Sequence, residues 1–135
     1  MNIENKSYDD KVYNLIKKGL DASSLRSKAI SNNIANLNTK GYKRYYVSFE
    51  DTLQDKMNTL QMKKSDPLHL GGNDEEGTIS VKQDTSTSIT PDGNNVDVDN
   101  EMTNMAANTL MYNALITEAN AKFSMAGYVI TGGGR

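Results

Sequence analysis

The sequence predicts a mainly α protein: long N- and C-terminal helices forming an antiparallel coiled-coil-like hairpin, with a polar loop or small β excursion between them. Three observations carry this. Apolar residues recur at helical spacing near both ends of the 135-residue chain, the two periodic regions match in length, and the stretch between them is poor in apolar side chains. The organisation that follows is one helical core domain built from residues 1–54 and 93–135, with a polar, context-dependent middle segment over 55–92.

In the first helix, Tyr8, Val12, Leu15, Ile16, Ala22, Leu25, Ala29, Ile30, Ile34 and Leu37 follow steps of mostly three and four. Gly19 is its weak point, costing about 1 kcal/mol against alanine. Gly41 suits the left-handed residue just past a helix end. On a helical wheel the apolar residues cover roughly 220°, whereas docking on one partner takes a stripe of about 100–140°. The helix is therefore expected to meet more than one neighbour. Arg26, Asn33 and Asn36 fall inside the arc. The two amides read either as partly exposed near a helix end or as buried and paired with another helix. An unpaired buried amide costs about 1–3 kcal/mol, so such groups would fix the register of neighbouring subunits. Arg26 reads as a snorkelling side chain or as half of an ion pair across an interface.

Residues 63–95 hold five apolar side chains, Leu68, Leu70, Ile79, Val81 and Ile89, too few to offset the ordering entropy of a separate domain. Ile79 and Val81 alternate in "TISVK", which allows a short strand, and "TPDGNN" reads as a turn through Pro91, Asp92 and Gly93.

The last third carries a cleaner signal. Val98, Met102, Met105, Thr109, Tyr112, Ile116, Ala119, Phe123, Ala126 and Ile130 alternate steps of four and three, a heptad seam. Asp97 is the expected N-cap, with Asp99 and Glu101 adding negative charge to the first turn. Each helix would span ~45–50 Å at 1.5 Å per residue. A lone pair of such helices buries one stripe each and is marginal, so the remaining burial is expected from an assembly.

Composition narrows the function classes. Hydrophobic residues make up 36% of the chain and aromatics 7%, without tryptophan, which is lean for a self-sufficient globule. There is no cysteine, which removes disulfides and thiolate chemistry. Residues 1–64 carry net +5 and residues 65–135 net −7. The basic residues are scattered, so attraction between halves or copies explains them better than nucleic-acid binding. No apolar run reaches the ~18 residues of a membrane span, and the polar start does not resemble a cleavable signal peptide. His69 is the single histidine, set in a polar loop, and offers neither a metal site nor a catalytic triad. "GGNDEEG" lacks the lysine and the strand–loop–helix setting of a phosphate loop. No catalytic residues, cofactor site or metal site are expected.

Two motifs carry a resemblance. "LRSKAISNNIANLNTKGYKR" resembles the N-terminal signature of the bacterial flagellar rod and hook family of axial proteins, an Asn-Asn-Ile-Ala-Asn core followed by Thr-x-Gly-Tyr-Lys. The carried-over positions are Asn32, Asn33, Ile34, Ala35, Asn36, Thr39, Gly41 and Tyr42. "GNNVDVDNEMTNMAANTLMYNALITEANAKF" resembles the C-terminal region of the short rod members, through Asn94, Asn95, Val96, Asp97, Glu101 and Met102, then Tyr112, Ala114 and Leu115. The likeness covers about residues 20–53 and 92–131. Lys40 stands where the family has proline, so the helix would end more softly or run further.

The resemblance implies a structural subunit of the flagellar basal body, not a catalyst. It implies export by the flagellar type III apparatus without signal cleavage, and polymerisation through the terminal helices into the rod that crosses the periplasm and transmits torque. Implied neighbours are further copies of the chain, FliE, and FlgC- and FlgF-type rod proteins. "YDDKV", Tyr8 to Val12, approximates an export element of axial relatives. Two other readings remain open: another short rod protein of FlgC type, and a free helical-hairpin adaptor or export chaperone that would fold as a discrete monomer or dimer.

Overall fold

In the computed structural model, residues 4–49 and 78–132 are described, with side chains from Asp10 onward. His69, "GGNDEEG" and the Tyr8 side chain lie outside the described residues. The element order is α1 (Glu4–Ala35), β1 (Tyr45–Ser48), β2 (Ser80–Gln83) and α2 (Val98–Ile130).

The two helices run antiparallel. Near one end Asn33 meets Glu101, then Ser23 meets Asn108, and near the other end the rings of Tyr13 and Phe123 lie 5.5 Å apart. Gly19 sits between these contacts, where a β-carbon would come 3.1 Å from Leu115 Cδ1. Its missing side chain lets the helices approach, so the propensity cost read from sequence has a packing reason.

α1 stops at Ala35, two residues before the expected end, and does not run on through Lys40. The chain then descends through turns, with Leu37 N–H donating to Ile34 O and Thr39 N–H to Asn36 O. Gly41 does adopt the left-handed conformation, φ 72°, but at the foot of these turns rather than directly after the helix. α2 begins as expected, with Asp97 Oδ1 accepting from the backbone N–H of Asp99 and Asn100.

The β excursion is a two-stranded antiparallel ribbon with Tyr45 opposite Gln83 and Ser48 opposite Ser80. β2 lies where "TISVK" allowed a strand. Its partner β1, "YYVS", carries the aromatic and β-branched residues that favour a strand and lies in the segment grouped with the first helix. The ribbon turns Val47 and Phe49 inward onto Ala22 and Ala29 of α1, with Ile79 packed beside them. This small core sits where helix and ribbon meet, so the ribbon belongs to the hairpin's packing. The "TPDGNN" turn forms, with Gly93 N–H donating to Thr90 O and Gly93 at φ 85°.

The face that α2 turns towards α1 keeps one row of the apolar seam and replaces the other. Every seventh residue from Glu101 (Glu101, Asn108, Leu115, Lys122) is buried or half-buried against α1, whereas the row beginning one residue later (Met102, Thr109, Ile116, Phe123, Ile130) is exposed. Met102 is 58% exposed, Phe123 62% and Ile130 84%. One row of the seam is thus replaced by the row about 100° round the helix, while most of the other row, Val98, Met105, Ala119 and Ala126, is half-buried as expected. Two buried polar residues hold this face in place. Asn108 accepts from Ser23 Oγ at 2.9 Å and donates to Ser23 O and Ser27 Oγ, each at 2.9 Å, while Glu101 is bound at the other end. Turning the apolar row inward would strip these groups of partners, at about 1–3 kcal/mol each.

Candidate functional site

The residues of both sequence motifs converge on one polar junction, where the end of α1, β1 and the start of α2 meet. At its centre is Asn33, 0% exposed. Its Nδ2 donates to Tyr45 O at 2.8 Å and to Glu101 Oε2 at 3.0 Å. Its Oδ1 accepts from Tyr45 N–H at 2.8 Å and from Tyr42 Oη at 3.2 Å. An amide side chain has two donors and two acceptor sites, and all four are used. The expectation that Asn33 registers neighbouring subunits is therefore corrected: its hydrogen-bonding capacity is spent inside the chain.

Glu101 is 1% exposed, and its second oxygen, Oε1, lies 3.0 Å from Arg44 Nη2. Arg44 Nη1 lies 3.6 Å from Asp84 Oδ2, just after β2. Glu101 sits in the first turn of α2 as expected, and there it is also buried and paired with Arg44. A carboxylate this deep is retained only when its oxygens are matched, as they are here. The hydrogen bonds from Ser86 to Asp84 hold the Asp84 carboxyl below its ordinary value, despite some burial and with Arg44 and Lys43 assisting. Burial pushes Tyr42 above its ordinary value, with Tyr45 and the Glu101 charge adding to the effect.

The paired asparagines before α2 close the junction from below. Asn94 Nδ2 reaches three carbonyls, Asn36 O, Leu37 O and Thr39 O, at 3.0, 2.9 and 3.0 Å. All three belong to the turns that follow α1, so Asn94 ties those turns down from across the fold, while its Oδ1 accepts from Val96 N–H at 2.8 Å. Asn95 Oδ1 accepts from Arg44 N–H at 2.7 Å, and Asn95 Nδ2 donates to Asp84 O at 3.0 Å. Gly41 N–H donates to Asp92 O at 2.9 Å, and a β-carbon on Gly93 would come 3.5 Å from Gly41 Cα. The two glycines allow the loops to pass at backbone distance.

The other motif residues take separate places. Val96 is buried beside the paired asparagines and Asp97 caps α2. Asn36 is half-buried and bonds locally, donating to Asn32 O and accepting from Thr39 Oγ1. Asn32, Ala35 and Thr39 are exposed, and Ile34 is half-buried. Arg26 lies apart from the junction, its Nη1 3.6 Å from Met111 Sδ across the hairpin. It borders an open cleft of about 390 Å³ shared with Arg44, Tyr45, Tyr46 and Asn104. Met102 and Tyr112 face outward. Sequence reasoning left out Arg44, Tyr45, Asp84, Ser23 and Asn108. Asn108 had a legible signal, lying seven residues after Glu101 on one helical row.

This arrangement joins α1, β1 and α2 through matched buried polar groups. Among the described residues, no cluster of three or more histidine, aspartate or glutamate side chains could hold a metal ion, and no helix is long and apolar enough to cross a membrane.

Comparison with known proteins agrees with the resemblance drawn from the motifs. Residues 18–43, the second half of α1 and the turns after it, match the family described as flagella basal body rod protein. The flagellar basal body rod protein FlgB of Bacillus subtilis (strain 168) is 38% identical over 118 residues, covering 87% of this chain and 92% of the relative. The FlgB of Borrelia hermsii is 35% identical over 130 residues, covering 90% and 92%. These likenesses span α1, the ribbon and α2 together, and the chain belongs to the FlgB family of flagellar basal body rod proteins.

Proposed function

We propose that the chain is a structural subunit of the proximal rod of the bacterial flagellar basal body, built into the rod through its terminal helices and carrying torque across the periplasm. The observation that carries this reading is the row on α2 formed by Met102, Ile116, Phe123 and Ile130, broken by Thr109, which the chain leaves largely exposed on its own. Surfaces of that length and character mark protein interaction sites.

The two motifs divide their labour in this reading. Asn33, Gly41, Tyr42, Asn95, Val96, Asp97 and Glu101 hold the hairpin and ribbon in one shape. Asn32, Met102 and Tyr112 are exposed and face neighbours, while Arg26 reaches across the hairpin to Met111. Residues 1–54 and 93–135 act as the rod core, and the described part of 55–92 is joined to it through β2, which pairs with β1. The neighbours are further copies of this chain together with FliE, FlgC- and FlgF-type proteins, delivered through the flagellar type III apparatus.

The test is replacement of the gene in the source bacterium. The unaltered chain should restore swimming and be present in purified basal bodies. Met102→Glu should keep its helical content and still be exported, yet leave basal bodies without rods. Absence of the unaltered chain from functional basal bodies would overturn the reading.

A further inference from the structure

We infer that the free subunit, outside any rod, docks on an anionic lipid surface through the end of the hairpin opposite the polar junction. Over the last turns of α2, Phe123, Met125, Tyr128, Val129 and Ile130 are between 61% and 84% exposed. At 100° per residue these five cover roughly 220° of the helix, wider than the stripe of about 100–140° that one neighbouring helix covers. No charged residue lies between Phe123 and Ile130. A helix end that is apolar on so many sides calls for an apolar medium around it, not for one more helix beside it. These eight residues are too few to span a bilayer, so the end rests in its interface. Tyr128, with an apolar ring and a polar hydroxyl, suits the headgroup level.

A cleft at the same end favours lipid over peptide. It encloses about 310 Å³ and is lined by Tyr13 of α1 and by Lys122, Met125, Ala126, Val129 and Ile130 of α2. Its walls are apolar but for the Tyr13 hydroxyl and one ammonium group, that of Lys122. An acyl chain satisfies such walls and an anionic headgroup satisfies the ammonium. An extended peptide laid there would strand its backbone N–H and C=O groups against apolar side chains. The charge of this end agrees with the headgroup. Residues 4–18 and 119–132 carry five basic against three acidic side chains, in a chain whose overall charge is −2. An apolar surface flanked by an excess of basic residues is the combination that holds a protein on an anionic bilayer without crossing it.

The chain has no tryptophan, so Tyr128→Trp places a single fluorescent reporter at this end. The full chain would be mixed with vesicles of phosphatidylglycerol and phosphatidylcholine, or of phosphatidylcholine alone, and floated on a density gradient. It should float with the anionic vesicles, and the Tyr128→Trp emission should shift to the blue when they are added. Phe123→Glu and Val129→Glu should abolish flotation. Lys122→Gln should weaken binding about fivefold, the factor that matches about 1 kcal/mol for one basic residue near an anionic surface. Met102→Glu, on α2 at the junction end, should float as the parent does. Equal flotation with both kinds of vesicle, flotation that survives Phe123→Glu, or its loss in Met102→Glu would overturn the proposal. Flotation with neither kind would overturn it too and leave this end to a protein partner. Circular dichroism of each variant separates a lost contact from a lost fold, and the tryptophan shift reads the otherwise unaltered chain. Vesicle binding needs no rod, so this inference and the rod reading stand or fall separately.

Discussion

The Asn33 amide and the Glu101 carboxylate meet 3.0 Å apart across the hairpin, both withdrawn from solvent, one from each end of the sequence. Replacing Asn33 with leucine leaves Tyr45 N–H, Tyr45 O and one carboxylate oxygen without their partner. Asn33→Leu should therefore lower stability by on the order of 3 kcal/mol, given about 1–3 kcal/mol for each buried polar group left unmatched. Urea unfolding followed by circular dichroism measures it. An unchanged midpoint would mean that the amide is not holding the hairpin.

Asn94 ties down the turns after α1 from as far as 58 residues away in sequence. Asn94→Ala should cost about 1–3 kcal/mol, the range for leaving a buried polar group without its partner. The effect should be local as well as global: amide exchange should quicken at the end of α1 and in the turns to Gly41 before it changes in the middle of α2.

At Gly19 two effects oppose. Alanine would gain about 1 kcal/mol of helix propensity, yet its β-carbon would press on the flexible end of Leu115. Gly19→Ala should sit within about 0.5 kcal/mol of the parent, the usual span of a tolerated change. Gly19→Leu should part the helices and lower the melting temperature clearly. Thermal unfolding of both variants distinguishes a packing role from a propensity defect.

Tyr42 gives an alkaline dependence whose sign is fixed. Its folded pKa is raised by burial, then by Tyr45 and Glu101, so the protonated phenol is favoured in the fold. Its contribution is fully present below the ordinary value of 10.0 and is lost as pH rises through the higher folded value. Tyr42→Phe should flatten the fall in stability above that pH. Parallel curves for parent and variant would rule out the Tyr42 contribution.

The hairpin, the N-cap at Asp97, the glycine turn at Gly93 and the strand around Val81 were legible because each rests on a local rule of spacing or backbone chemistry. Of the two rows of the α2 seam, one was not. Periodicity ranks residues by apolarity, and the apolar row is the one beginning at Met102. Selection of the docked row depends on Glu101 finding Asn33 and Arg44, and on Asn108 finding Ser23 and Ser27, pairings that a single helical wheel does not display. Asn33 was legible as a residue needing partners but not as one whose partners are all internal. That required β1, whose four residues are too short a run to read and whose Tyr45 supplies two of the four bonds.

The reach of Asn94 also sets an order in time. A chain that emerges from synthesis or from a narrow pore with its N-terminus leading presents α1 long before residues 94–101 follow. Until then the carbonyls of the turns after α1, the Asn33 amide and the Arg44 guanidinium all lack the groups from the final third that complete them. The hairpin is a clasp whose tongue arrives last, and the same geometry that makes the finished subunit rigid keeps the unfinished one open.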